Sequence, residues 1–235
     1  MMQHDIKRDT WKQLAGNAAA QLVEEGMVIG IGTGSTVTYL IYALARRIQD
    51  GLRIVGAVPT SRATYDLAHN LGIPLTDLDT HPALDLCIDG ADEIDSQFNL
   101  IKGGGGALLR EKVVASVSRR FVIIADQTKE VQLLGSRSPV PVEIIPFALT
   151  PIRQRLESLG ATVQIRRLGE QIFVTDNHNN ILDCTFPNGI ADPAALDAQI
   201  QSIVGVLETG LFLHMAHAAI IGGPNGVKIL YPEKP

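Results

Sequence analysis

"MVIGIGTGSTVTYLIYALARRIQ", residues 27 to 49, decides the fold. "MVIGIG" is a short apolar run ending in glycines, the composition of a buried strand. "STVTYLIYALARRIQ" reads as a helix, with Ser35 or Thr36 as its cap. A strand that turns through glycines into a helix is half of a β–α–β unit, and the same grammar recurs on both sides. Upstream, "TWKQLAGNAAAQLVEEG" (10–26) predicts an amphipathic helix ended by Gly26. Downstream, "LRIVGAV", "LDLCI" and "RFVIIAD" predict strands, while "RATYDLAHNLG" and "ALLREKVVASVSRR" predict helices. The alternation implies an α/β fold, with a Rossmann-like, mostly parallel sheet and helices on both faces.

The pattern changes at "SPVPVEIIP", where Pro139, Pro141 and Pro146 punctuate the chain. Beyond it come a helix ("TPIRQRLESLG"), the short strands "ATVQIRR", "QIFVTD" and "NILDCTF", and a second helix ("DPAALDAQIQSI"). "DNHNN" between two strands predicts an antiparallel hairpin. "HAAIIGG" and "GVKILY" look like strands returning to the first domain. The expected organisation is therefore a catalytic α/β domain over 1–143, completed by 212–235, and a small α+β domain over 144–211.

The chain has 235 residues, 46% of them hydrophobic, enough to bury a real core. A net charge of −5 with scattered basic residues leaves no nucleic-acid footprint. No apolar run approaches a membrane span, and "MMQHDIKRDTWKQ" has no apolar targeting core. Two cysteines, Cys87 and Cys184, are too few for a disulfide framework. A soluble, reduced, cytoplasmic protein is the expectation.

In a parallel sheet every strand-to-helix loop emerges at the same carboxyl edge, where ligands bind. "GTGST" (32–36), "PTS" (59–61), "DGADEID" (89–95) and "ADQTK" (125–129) should meet there. In "GIGTGSTV", Gly32 and Gly34 allow a tight turn and close approach. Thr33, Ser35 and Thr36 add hydroxyls at a helix N-terminus that favours anions. The loop lacks the lysine of a nucleotide P-loop and the third glycine of a dinucleotide fingerprint, so a single phosphate fits best. A capped turn with no ligand explains it too. "KGGGGALLREK" (102–112) places Lys102 and a row of backbone N–H groups at a helix entrance, although a flexible linker has the same composition. Glu111 alone would pass for solvated surface charge. The four carboxylates of "DGADEID" admit three roles: a divalent metal site, solvated loop charge, or sugar binding with proton transfer.

Taken together, "GIGTGSTV", "PTS", "DGADEID", "KGGGGALLREK" and "FVIIAD" resemble, in order and spacing, the type A ribose-5-phosphate isomerases. The resemblance continues through "PVEIIP", "VTDN" and "GVK" and covers nearly the whole chain. It implies interconversion of D-ribose 5-phosphate and D-ribulose 5-phosphate through an enediolate, with no metal and no organic cofactor. It also implies a homodimer or homotetramer, with no nucleic-acid or membrane partner. By this resemblance Glu111 matches the catalytic base. Asp89 and Asp92 face the sugar, and Lys102 acts at the reacting oxygens beside Gly103 and Gly104. Thr33, Gly34, Ser35 and Thr36 match phosphate and sugar binding, assisted by Lys12 and Ser61. Glu93 and Asp95 are left with structural roles. His214 and His217 stand where the family usually carries small polar residues and Asp, and no role attaches to them. Two rivals remain. A sugar-phosphate sensor would bind without turnover, but no basic DNA-binding helices precede the fold. A NAD-dependent oxidoreductase would need the fingerprint that fails here.

Overall fold

The computed structural model describes residues 2–232. Along the chain the first elements are α1 (Met2–Ala20), β1 (Val28–Ile31), α2 (Ser35–Gln49), β2 (Gly56–Pro59), α3 (Arg62–Asn70) and β3 (Leu86–Gly90). There follow β4 (Glu93–Ile94), β5 (Leu100–Ile101), α4 (Leu108–Ser116), β6 (Phe121–Asp126), β7 (Val140–Ile144) and α5 (Leu149–Ser158). The rest are β8 (Thr162–Ile165), β9 (Arg167–Leu168), β10 (Gln171–Ile172), β11 (Asn180–Thr185), α6 (Pro193–Gln201), β12 (Val206–Thr209), β13 (Leu211–Phe212), β14 (Ala218–Gly223) and β15 (Gly226–Leu230).

The chain divides into two compact units. The first comprises the chain up to Ala91, Arg110–Lys129, and the chain from Met215 onward. The second comprises Asp92–Leu109 and Glu130–His214. The second unit thus takes in 92–109 and 130–143 as well as 144–211.

In the first unit, six strands among the described residues form one sheet in the order β15-β14-β6-β3-β1-β2. Every pairing is parallel except that of β15 with β14. Alternation along the strands sorts the two faces. Ile29, Ile31, Leu86, Ile88, Val122 and Ile124 point to one face and pack with Ala15 and Ala19 of α1 and with Val37, Leu40 and Leu44 of α2. On the other face a Cβ on Gly30 would stand 2.4 Å from Val114 of α4, so a glycine lets that helix lie against the strand. Helices cover both faces, as expected.

The helix expected over 10–26 ends earlier. Gln21, Leu22 and Val23 donate to the carbonyls three residues back, a tightened last turn, and the Gly26 N–H goes instead to the Arg53 carbonyl at 2.8 Å.

The second unit is built on the antiparallel sheet β12-β7-β11-β8. Val140, Val142 and Ile144 of β7 share a core with Leu182 and Cys184 of β11, Ile152 and Leu156 of α5, and Leu196 and Ile200 of α6. The proline-rich stretch expected to punctuate the chain is itself the strand β7, with a neighbour on each side. Pro141 is tolerated because no donor is needed there: its carbonyl accepts the Gly210 N–H (2.7 Å), while the Gly210 carbonyl takes the Lys102 N–H (2.9 Å). The turn expected at "DNHNN" forms, closed by the Thr175 N–H on the Asn179 carbonyl at 2.9 Å, but the strands beside it do not pair with each other. β10 pairs with β9, and β11 pairs with β7 and β8. The buried Glu143 braces the turn, its Oε1 accepting from Thr175 Oγ1 (2.9 Å), Asn177 Nδ2 (3.1 Å) and Asn179 Nδ2 (2.9 Å).

Both cysteines are buried and unbridged. Burial pushes the Cys184 thiol up to about 12, and the Asp183 charge adds to the effect. A thiol with a raised pKa stays protonated below it, and the thiolate is the reactive form. Iodoacetamide at pH 7 to 9 should therefore leave Cys184 unmodified in the folded protein and alkylate it in urea, as peptide mass spectrometry would read. A second expectation concerns Gly222. A Cβ there would lie 1.9 Å from the Trp11 carbonyl oxygen, so α1 rests directly on β14. Gly222→Ala should cost roughly 1–3 kcal/mol through overpacking and lower the thermal midpoint by several degrees.

Candidate active site

In the first unit the loop after β1 is locked to β3 by a carboxylate. Asp89, fully buried at the end of β3, accepts through Oδ1 from the Thr33 N–H (3.0 Å) and the Gly90 N–H (2.7 Å). A Cβ on Gly32 would lie 1.9 Å from that oxygen, so the acid occupies the space a side chain at 32 would need. The Thr33 hydroxyl meets Thr60 Oγ1 and Ser61 Oγ, each at 2.8 Å, and Thr64 Oγ1 at 3.2 Å. Thr64 in turn donates to the Gly32 carbonyl at 2.8 Å. Three loops of the carboxyl edge are thereby joined. Ser61 also caps α3, its Oγ accepting the Thr64 N–H at 3.1 Å.

The cap of α2 is Gly34, at φ 123°, and not Ser35 or Thr36. Gly34 has no side chain to bond the first helical N–H groups, and no acidic residue stands in the first turn. The positive end of a 15-residue helix is thus presented beside exposed Ser35 and buried Thr36. Lys12 lies on α1 one turn beyond Arg8, whose Nη2 donates to Thr128 Oγ1 at 2.9 Å just after β6. That contact and the Trp11–Gly222 approach bring this part of α1 to the carboxyl edge. Lys12 Nζ is 3.5 Å from Asp9 Oδ1. Glu111 stands in the first turn of α4 and is only 2% exposed, so it is not the surface charge its "REK" context suggested.

In the second unit the tetraglycine run is an ordered loop. Gly103 and Gly106 take φ of 95° and 84°, and a Cβ on Gly106 would meet the Phe173 ring at 2.4 Å. Asp92 Oδ2 accepts the Gly104 N–H at 2.7 Å. Lys102 is 2% exposed, with Nζ 5.1 Å from the centroid of the Phe212 ring, within cation–π range.

The other two carboxylates of the acidic stretch hold backbone. Glu93, fully buried, accepts the N–H groups of Gly135 (2.7 Å), Arg137 (2.7 Å) and Ser138 (2.6 Å). Asp95 accepts from the N–H groups of Gln97 (2.9 Å) and Asn99 (2.8 Å) and from Asn99 Nδ2 (3.1 Å). Among the described residues no three His, Cys, Asp or Glu side chains group as a metal-ligand set, and no helix is long and apolar enough to cross a membrane. Sequence reasoning missed Thr60 and Thr64. The spacing Ser61-x-x-Thr64, a cap and its third helical position, is the signal that could have found the latter.

The family model described as "Ribose 5-phosphate isomerase A (phosphoriboisomerase A)" matches residues 56–226. The chain belongs to this family. It is 53% identical over 223 residues to the ribose-5-phosphate isomerase A of Roseiflexus sp. (strain RS-1), covering 94% of this chain and 95% of that one. It is 52% identical over 217 residues to the enzyme of the same name from Bacillus mycoides (strain KBAB4), covering 92% and 97%. Among solved structures, a D-ribose-5-phosphate isomerase in complex with phospho-erythronic acid superposes with a TM-score of 0.92 at 38% identity, over 95% of this chain and 99% of that one. His217, to which no role attached, is held locally in this member of the ribose-5-phosphate isomerase A family. Its Nδ1 accepts the Phe121 N–H at 3.1 Å, and its own N–H goes to the Phe121 carbonyl at 2.8 Å.

The sorting of the acidic stretch can be tested by stability alone. Glu93→Ala leaves three backbone donors without their carboxylate, each about 1–3 kcal/mol if unsatisfied, and should cost at least about 2 kcal/mol in urea titration. Asp92→Asn, at a less buried position that accepts the Gly104 N–H, should cost under about 1 kcal/mol.

Proposed function

We propose that this chain interconverts D-ribose 5-phosphate and D-ribulose 5-phosphate by proton transfer between C2 and C1 through an enediolate. The observation that carries the proposal is burial. Of the four ionisable side chains singled out by the motifs, Asp89, Lys102 and Glu111 are 0%, 2% and 2% exposed, and Asp92 is half-buried. Burying ionisable groups is costly, and such groups concentrate where chemistry needs them. Phospho-erythronic acid, held by the 38%-identical relative, is a phosphorylated four-carbon acid. Its planar carboxylate imitates the planar, negatively charged enediolate, which supports the same intermediate here.

The roles follow from what each step needs. The N-terminus of α2, with Gly34, Ser35 and Thr36, binds the phosphate, and Lys12 adds positive charge. Thr33 and Ser61 hold that loop in shape. Glu111 removes the proton from carbon and returns it to the neighbouring carbon. Lys102, with the N–H groups of the tetraglycine loop that Asp92 does not take, stabilises the oxygen that becomes negative. Asp89 and Asp92 move protons between O1 and O2 or open the ring. This donor and acceptor set provides for the reaction without a metal or organic cofactor. A homodimer or homotetramer and a cytoplasmic location complete the proposal. The exposed Leu168, Ile172 and Val174 near the β9–β10 hairpin offer apolar surface for self-association.

The test is turnover of ribose 5-phosphate with no additives. Ketose should form, and treatment with EDTA should leave the rate unchanged. In heavy water, deuterium should wash into C1 of ribulose 5-phosphate. Glu111→Gln keeps the size and polar contacts but cannot accept a proton. It should lower turnover by about 10²–10⁴ and abolish exchange, with little change in affinity. Binding without turnover would favour a sensor, and a folded Glu111→Gln variant that exchanges at the parent rate would remove Glu111 from the mechanism.

A further inference from the structure

Arg166 lies just beyond β8, in a stretch to which sequence reasoning attached no role. Its Nε donates to Asp183 Oδ2 at 2.9 Å and its Nη2 to Asp183 Oδ1, the paired fork that fixes a guanidinium plane. The remaining nitrogen, Nη1, donates to the carbonyls of Gly103 (2.7 Å) and Gly104 (3.1 Å). Both side chains are largely covered, at 14% and 20% exposure. A covered, bidentate pair whose third nitrogen is spent on two consecutive glycine carbonyls does more than decorate a strand.

A trans peptide points its N–H opposite to its C=O, and no cis peptide occurs among the described residues. Holding the Gly103 and Gly104 carbonyls toward Arg166 therefore turns the N–H groups of Gly104 and Gly105 away from it. The first of these donates to Asp92 Oδ2 at 2.7 Å. The Gly103–Gly104 peptide is thus held at both ends, its carbonyl by Arg166 and its N–H by Asp92. Glycine needs such a restraint most, because nothing in its own structure selects one conformation. Phe173, whose N–H bonds the Arg166 carbonyl at 3.0 Å, supports the same loop by resting its ring on Gly106.

We propose that Arg166, fixed by Asp183, is a positioning residue that holds the tetraglycine loop with the Gly104 N–H on Asp92 and the Gly105 N–H directed at the reacting oxygens. The inference rests on the isomerase function proposed above. Arg166 touches no substrate. It acts on the transition state through the direction of two peptide dipoles.

Arg166→Ala should lower kcat by about 10- to 100-fold, the scale of a small misplacement of catalytic groups. KM for ribose 5-phosphate and inhibition by inorganic phosphate should stay within about threefold, since phosphate is assigned to the N-terminus of α2. Arg166→Lys keeps the charge but not the planar fork, and should lose most of the same activity. Ethylguanidinium should restore part of the Arg166→Ala rate where ethylammonium does not. Arg167→Ala, at the exposed neighbour whose guanidinium bonds the Glu170 carbonyl, should behave as the parent. Amide exchange at residues 104–106 should accelerate in Arg166→Ala, and more weakly in Asp183→Asn, which keeps the fold better. A folded variant with kcat within twofold of the parent overturns the proposal. So does a loss that tracks the unfolded fraction and resists ethylguanidinium. If the parent does not turn over ribose 5-phosphate, the isomerase function fails. The exchange measurement then decides the restraint by itself, with unchanged rates at 104–106 overturning it.

Discussion

The first unit depends on one close approach, that of the Asp89 carboxylate to Gly32. The acid sits in the space a side chain at 32 would fill and takes the Thr33 N–H. With the backbone of Thr33 fixed from one side, its hydroxyl can join Thr60, Ser61 and Thr64 on the other. The loops after β1, β2 and β3 become one rigid edge. That edge in turn sets where α2 begins, and so where its unsatisfied N–H groups point. A carboxylate in the interior is costly unless hydrogen-bonded. Here its backbone bonds are also the ones that shape the loop.

The same economy explains how four carboxylates coexist in seven residues. Each is met by N–H donors of its own: Thr33 and Gly90 for Asp89, Gly104 for Asp92, three consecutive-loop donors for Glu93, and a local turn for Asp95. Backbone dipoles offset the mutual repulsion. The acids then differ in consequence. Glu93 and Asp95 hold backbone in place, whereas Asp89 and Asp92 each bind a glycine-containing loop that the motifs nominate for ligand contact.

Much of the fold was legible because periodicity reports burial directly. "MVIGIG" and "FVIIAD" are apolar on successive residues, as suits a strand covered on both faces, and both lie inside the parallel sheet. The unreadable parts share a cause. Pro141 looked like punctuation, yet it lies in an inner strand because the Gly210 carbonyl beside it takes the Lys102 N–H and needs no donor from residue 141. "QIFVTD" is expected to pair across the "DNHNN" turn, yet only Gln171 and Ile172 form a strand, and they pair with β9 instead. Local propensity is a weak preference that a distant partner overrides.

The sequence by itself determined the alternation of strands and helices, the carboxyl edge where the motifs gather, and the family to which those motifs belong. These depend on residue type at short spacing, which the chain carries openly. Only the tertiary structure decided that Glu111 is buried, that Gly34 rather than a hydroxyl residue caps α2, that Glu93 braces a loop, and that Arg166 grips the glycines. Burial and hydrogen bonding are properties of partners brought together from far apart in the chain, and no single stretch of sequence contains both members of such a pair.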